Sequence, residues 1–164
     1  MAVFEFAIVA TGLDPAADDF EDRFFDAGCN DATLIVTRGA IVLHFAREAG
    51  TLSEALESAI ADVRAAGAVP ERVEPDNLVS LSDIAQRAGL TRQAISNYAS
   101  GKGPRAAGFP RPVARITSES PLWDWAEMAA WLAAKGVVSQ EVLEAARVIE
   151  TANRGFGRTE MAAE

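Results

Sequence analysis

The order of apolar and polar positions predicts the elements of the first half of the chain. Phe4, Phe6 and Ile8 alternate with Glu5, Ala7 and Val9, the period-two pattern of a half-buried strand. Asp14 stands before Pro15, and proline suits the first helical position, so a helix is expected to open there. Its inner face would be Ala17, Phe20, Phe24 and Ala27, and Gly28 can end it. ATLIVT and AIVLHFA read as two strands joined by a tight hairpin at Arg38-Gly39. Thr51 and Glu54 have the spacing of a capping box. Behind them Leu52, Ala55, Leu56, Ala59, Ile60 and Val63 recur at helical spacing. Residues 69–73, marked by Pro70, read as a short strand at a sheet edge. Glu74-Pro75-Asp76-Asn77 then reads as a linker.

The predicted order is strand, helix, strand, strand, helix, strand. It resembles the ferredoxin-like βαββαβ arrangement, in which two helices cover one face of a four-stranded antiparallel sheet. The expected fold class is therefore α+β, with a first domain over residues 1–76. That fold hosts many functions and names none. From Leu78 the pattern becomes helical, which opens a second domain over 77–135. The remainder, 136–164, reads as one helix over 138–153 followed by a frayed end. Ser139 is its candidate N-cap, and Val138, Val142, Ala145, Ala146 and Ile149 share one side.

The densest pattern lies in LVSLSDIAQRAGLTRQAISNYASGK. Leu81, Ile84, Ala85 and Ala88 fall on one face of a short helix, and small Ala85 lets a second helix approach. Gly89 sits where the chain must turn, and glycine tolerates the left-handed conformation a tight turn needs. Leu90 can plug the corner, and Thr91 is a good N-cap. On the second helix Ala94, Ile95 and Tyr98 lie on one arc. Arg92, Gln93, Ser96 and Asn97 lie on the opposite one, polar and free of acid. Such a face can present donors and acceptors to base edges in a major groove.

Ile84-Ala85, Gly89-Leu90-Thr91 and Ala94-Ile95-Ser96 together resemble the core of helix-turn-helix proteins. GFPRPV (108–113) and PLWDWAEMAAWL (121–132) narrow this to the winged-helix pattern of MerR-type and phage excisionase-type (AlpA-like) DNA-binding domains. The resemblance covers about 55 of 164 residues. It implies that 109–116 pairs with 122–123 across a wing whose tip is 117–120. It also implies that Asp124 caps a closing helix, in a capping box with Glu127. Met128, Trp131 and Leu132 would pack that helix on the core. The glycine-rich stretch 101–108 is longer than a tight turn needs, and either tracks a phosphate backbone or is only a flexible loop. The long coiled coil of MerR-type regulators is missing.

Charge supports this reading despite the net of −9. Residues 1–76 hold 5 Lys/Arg and 15 Asp/Glu, a net of −10; residues 77–135 hold 7 and 4, a net of +3. The remaining segment, 136–164, holds 3 and 5. No acid falls between Ile84 and Ser118, where Arg87, Arg92, Lys102, Arg105, Arg111 and Arg115 all lie. A split of this kind suits a middle segment that meets an anion. The plainer reading, one surface that merely lacks acids, loses ground once the motif is added.

The expected function is thus sequence-specific DNA binding by a transcriptional regulator, with a helix at 91–100 in the major groove. Arg92, Gln93, Ser96 and Asn97 are the candidates for base contact. Thr91, Lys102, Arg105, Arg111 and Arg115 are the candidates for phosphate contact. Thr91 serves first as a cap, Tyr98 as core, and Trp123, Trp125 and Trp131 as structure. The expected partners are double-stranded DNA and a second copy of the chain, since single small modules bind weakly. That dimer would form through the first domain or the last helix. The acidic first domain could also take a protein partner or a small-molecule effector. The rival reading is an antitoxin-like or adaptor protein whose first domain grips a partner.

With one histidine, one cysteine and no nucleophile-base-acid set, no enzyme is expected, and no cofactor or metal. Cys29 reads as a small buried residue, and His44 as exposed or half-buried. The acids Asp14, Asp18, Asp19 and Asp22 read as a solvated face. The start of the chain, with Glu5 and no basic residue before its apolar part, does not look like a secretory signal. No apolar stretch is long enough for a membrane, so a cytoplasmic protein is expected.

Overall fold

The computed structural model describes residues 1–75 and 77–163, with side chains described through Phe156. It is a mixed α+β structure with a four-stranded antiparallel sheet and, among the described residues, six α-helices. The chain forms two compact units: Met1–Pro75 with Thr151–Glu164, and Asp76–Glu150. The proposed linker falls at this boundary; its Asp76 lies outside the described residues.

The first unit contains β1 (Ala2–Thr11), α1 (Phe20–Asp26), β2 (Ala32–Thr37), β3 (Ala40–Ala49), α2 (Leu52–Ala65) and β4 (Val69–Glu74). The strand order is β2-β3-β1-β4, and every neighbouring pair is antiparallel. The β2–β3 hairpin turns at Arg38 (φ 49°) and Gly39 (φ 79°), the left-handed pair that a two-residue hairpin requires. Along β3 the alternation is clean. Ile41, Leu43, Phe45, Arg47 and Ala49 are buried, while His44, Ala46 and Glu48 are exposed. Phe20 and Phe24 of α1 and Ala55, Leu56, Ala59 and Val63 of α2 complete this core.

Buried Arg47 is fully satisfied. Its guanidinium donates to Asp31 (2.8 and 2.9 Å), Asp62 (2.8 Å), Ser58 (3.1 Å) and the Gly28 carbonyl (2.8 Å). It thereby ties β3, α2 and the exit from α1 together, which is the condition for a charge to be tolerated inside. Gly28 (φ 113°) must be glycine twice over, because a Cβ there would lie 2.8 Å from the Asp62 carboxylate. Cys29 is buried, and its thiol is pushed up to about 11 by desolvation first and by the Asp62 charge second.

Several expectations need correction. The first helix opens at Phe20, not at Pro15: the Asp14 carboxylate accepts the Ala16 N–H (2.9 Å) and makes a local turn instead. β1 is not half-buried throughout, for residues 6–10 are all buried as the strand runs between β3 and β4. Thr51 caps α2 by accepting the Glu54 N–H at 3.1 Å. β4 does lie at an edge, with a register shift opposite Val9 and Ala10, beside Pro70.

The second unit contains β5 (Leu78–Val79), α3 (Leu81–Ala88), α4 (Arg92–Ala99), β6 (Trp123–Asp124) and α5 (Trp125–Ala134). Leu78 therefore starts a short strand rather than a helix. It pairs with Asp124, and Val79 pairs with Trp123. The last helix, α6 (Gln140–Ala163), groups with this unit to Glu150 and with the first unit from Thr151. Ser139 bonds the Val142 N–H (3.3 Å), as a cap should. The helix runs past its expected end at residue 153, to Ala163. Asn153 accepts from the Val73 N–H (2.7 Å) and donates to its carbonyl (3.1 Å), and Phe156 is buried.

Candidate nucleic-acid interface

The second unit is built on one apolar cluster that includes Val79, Ile84, Ala85, Ile95, Trp123, Trp125, Met128 and Leu132. α3 starts at a capping box. Ser80 Oγ accepts the Asp83 N–H (3.2 Å), and the Asp83 carboxylate accepts the Ser80 N–H (3.0 Å). That second bond, above all, holds the Asp83 carboxyl below the usual carboxylate range. α3 ends at Gly89 (φ 69°, ψ 26°), with the Leu90 N–H returning to the Ala85 carbonyl at 2.9 Å. Thr91 then caps α4 by accepting the Ala94 N–H at 3.1 Å. Fully buried Ile84 and Ile95 hold the two helices on the shared core.

Outward from that core, Arg92 and Gln93 are exposed, and Ser96 and Asn97 are half-buried. Arg92 Nη1 donates to Ser82 Oγ on α3 (2.7 Å), and Gln93 Nε2 donates to Asn97 Oδ1 (2.9 Å). Thr91, Lys102, Arg105, Arg111 and Arg115 are all exposed. Tyr98 is half-buried, with its ring set edge-on to Trp131, in keeping with a core role.

Residues 101–108 contain one short helical turn. Pro104–Ala106 is a single 3-10 turn with Ala106 buried. The Trp131 indole N–H donates to the Ala107 carbonyl (3.2 Å), and Trp123 donates to Pro110 (3.0 Å). Phe109 lies edge-on to both indoles. The tryptophans thus staple the loop that carries Lys102 and Arg105. Arg87 also sits over the Trp125 ring, 5.2 Å from its centre.

The wing differs from its expected form. Residues 109–116 are not a strand; the pairing is reduced to a bridge between Ala114 and Leu122. Pro110 and Pro112 supply no N–H, so a continuous ladder cannot form there. Trp123 pairs instead with Val79 of β5. The loop beyond the bridge is nonetheless closed: the carbonyl of Arg115 (φ 52°) accepts from the Ser118 N–H (3.0 Å) and hydroxyl (2.8 Å). Asp124 caps α5 through the Glu127 N–H (2.9 Å), and Met128 and Leu132 are fully buried, with Trp131 half-buried.

Sequence reasoning missed the Ser80–Asp83 capping box, although its spacing is plain, and the Arg92–Ser82 bond, which joins two separate helices. Among the described residues no group of His, Cys, Asp or Glu is arranged to hold a metal ion, and no helix is long and apolar enough to cross a membrane. Compared with known protein families, with curated proteins and with solved structures, the chain matches none.

Proposed function

We propose that residues 77–135 are a winged helix-turn-helix of the MerR/excisionase type that binds double-stranded DNA, carried beside a ferredoxin-like domain over residues 1–76. The observation that carries this reading is the outer surface of α4 and its flanks. Arg92 and Gln93 are exposed there, and Lys102, Arg105, Arg111 and Arg115 are exposed in a stretch without a carboxylate. The strand order β2-β3-β1-β4 supports the ferredoxin-like assignment.

In this mechanism phosphate neutralisation and release of condensed cations supply affinity. α4 enters the major groove, Arg92 offering its fork to a guanine edge, with Gln93, Ser96 and Asn97 beside it. Thr91 and the loop and wing cations hold the backbone and set the register. The function is transcriptional regulation by a homodimer at a two-fold site. The test is fluorescence anisotropy with duplex from upstream of the gene and with a scrambled duplex, over a salt series. Binding to both at low salt, tighter to the upstream duplex, is expected. Absence of binding to either duplex at low salt would discard the proposal.

A further inference from the structure

The two edges of the four-stranded sheet are treated differently by the chain. At the β4 edge, Pro70 removes a donor, Arg72 and Glu74 form an ion pair (3.2 Å), and the Asn153 side chain occupies both main-chain groups of Val73. These are the devices by which proteins blunt an edge. β2, at the other edge, has none of them. ATLIVT contains no charge, proline or glycine, and Ile35 and Val36 are 44% and 47% exposed. Among the described residues no strand lies on its outer side. Beside it stands Phe25 of α1, 63% exposed, over a groove of about 310 Å³ lined by Glu21, Asp22, Ala32 and Leu34.

We infer that β2 pairs antiparallel with β2 of a second copy of this chain, with the two-fold axis at Ile35. The register follows from the hairpin. In a two-residue hairpin the residues flanking the turn exchange hydrogen bonds, so Thr37, Ile35 and Thr33 face β3 with their main-chain groups. Leu34 and Val36 then direct theirs outward. A dyad at Ile35 sets Leu34 opposite the partner's Val36 and Val36 opposite the partner's Leu34, and each pair exchanges N–H···O=C bonds. Ile35 meets its own counterpart on the face of the sheet that also carries Thr33 and His44.

Charge fits the same register. Arg38 falls opposite the partner's Ala32, at the end of the strand where Glu21 and Asp22 line the groove with Ala32, and the symmetry repeats the match at the other end. Because the contact is isologous, it closes at two copies and leaves no further β2 edge to recruit. A single apolar edge explained only by solvent would be an aggregation hazard.

The inference stands apart from the DNA reading and is tested without DNA. Sedimentation of the full chain at micromolar concentration should give twice 17.4 kDa. Ile35→Lys, which places two ammonium groups on the axis, should give the single-chain mass with unchanged far-UV circular dichroism. Ile35→Cys should form an intermolecular disulfide on mild oxidation, whereas Val3→Cys, exposed on β1, should not. A single-chain mass for the unmodified protein overturns the inference. So does a dimer that survives Ile35→Lys, or one that Ile35→Cys fails to cross-link. Recovery of β2 paired with a different protein overturns it as well.

Discussion

Arg92 is exposed yet already oriented, because one guanidinium nitrogen is bonded to Ser82 and the rest of the fork stays available. Such tethering reduces the rotamer entropy lost when a guanine edge is bound. Arg92→Ala is therefore expected to cost about 1–3 kcal/mol on a preferred duplex and less on a scrambled one, read by anisotropy. Equal losses on the two would assign Arg92 to the backbone and not to the bases.

The other informative residue is Arg47. The hydrogen bond from its guanidinium, in the first place, holds the Asp31 carboxyl below the usual carboxylate range. The folded value is thus lower than the unfolded one of about 3.9, so this stabilisation is complete above about pH 4 and is lost as pH falls toward the folded value. Urea midpoints should drop on acidification below about pH 4, and Asp31→Asn should flatten that drop. Arg47 was partly legible from the sequence: it sits in phase with Ile41, Leu43 and Phe45, so alternation alone buries it. Its partners, drawn from three separate segments, were not legible.

Many elements with a local cause were readable, although the Asp14-Pro15 signal marks a turn and the Ser80–Asp83 box went unread. The periodicity of α2, the Arg38-Gly39 hairpin and the caps at Thr91 and Asp124 all depend on neighbours within a few residues, and all are present. Two other elements that differ from expectation depend on distant ones. β5 exists only because β6 pairs with it, and α6 runs past residue 153 where Asn153 bonds β4 and Phe156 is buried. The broken wing strand is a different case. Pro110 and Pro112 were in view, and their missing N–H groups outweigh the apolar pattern around them.

Gly89 offers a clean test at this scale. Its φ of 69° is left-handed, and a Cβ built there meets nothing within 4 Å. Gly89→Ala should then cost only the backbone term, about 1–2 kcal/mol. Gly89→Asn should cost less, because asparagine tolerates this conformation. Urea denaturation of the two variants measures the difference. Equal costs would mean that something other than the turn conformation is at stake.

For the whole molecule, a net charge of −9 and a DNA partner are compatible only if the charge is segregated. The sequence places −10 in residues 1–76 and +3 in residues 77–135, and the exposed cations of the second unit gather where acids are missing. At physiological salt a charge acts over about 8 Å, so at a docked phosphate the cations within that reach dominate. This makes salt dependence the sharpest global observable. Each neutralised phosphate contributes about −0.9 to the slope of log K against log salt, so the phosphate-contact cations Lys102, Arg105, Arg111 and Arg115 together set a limit of about −3.6 per copy. Lys102→Ala should weaken binding to upstream and scrambled duplexes alike and make the slope shallower by about 1. A slope near zero in the unmodified protein would mean that these cations meet no phosphate. A slope unchanged by Lys102→Ala would remove the 101–108 turn from the contact and leave α4 and the wing to carry it.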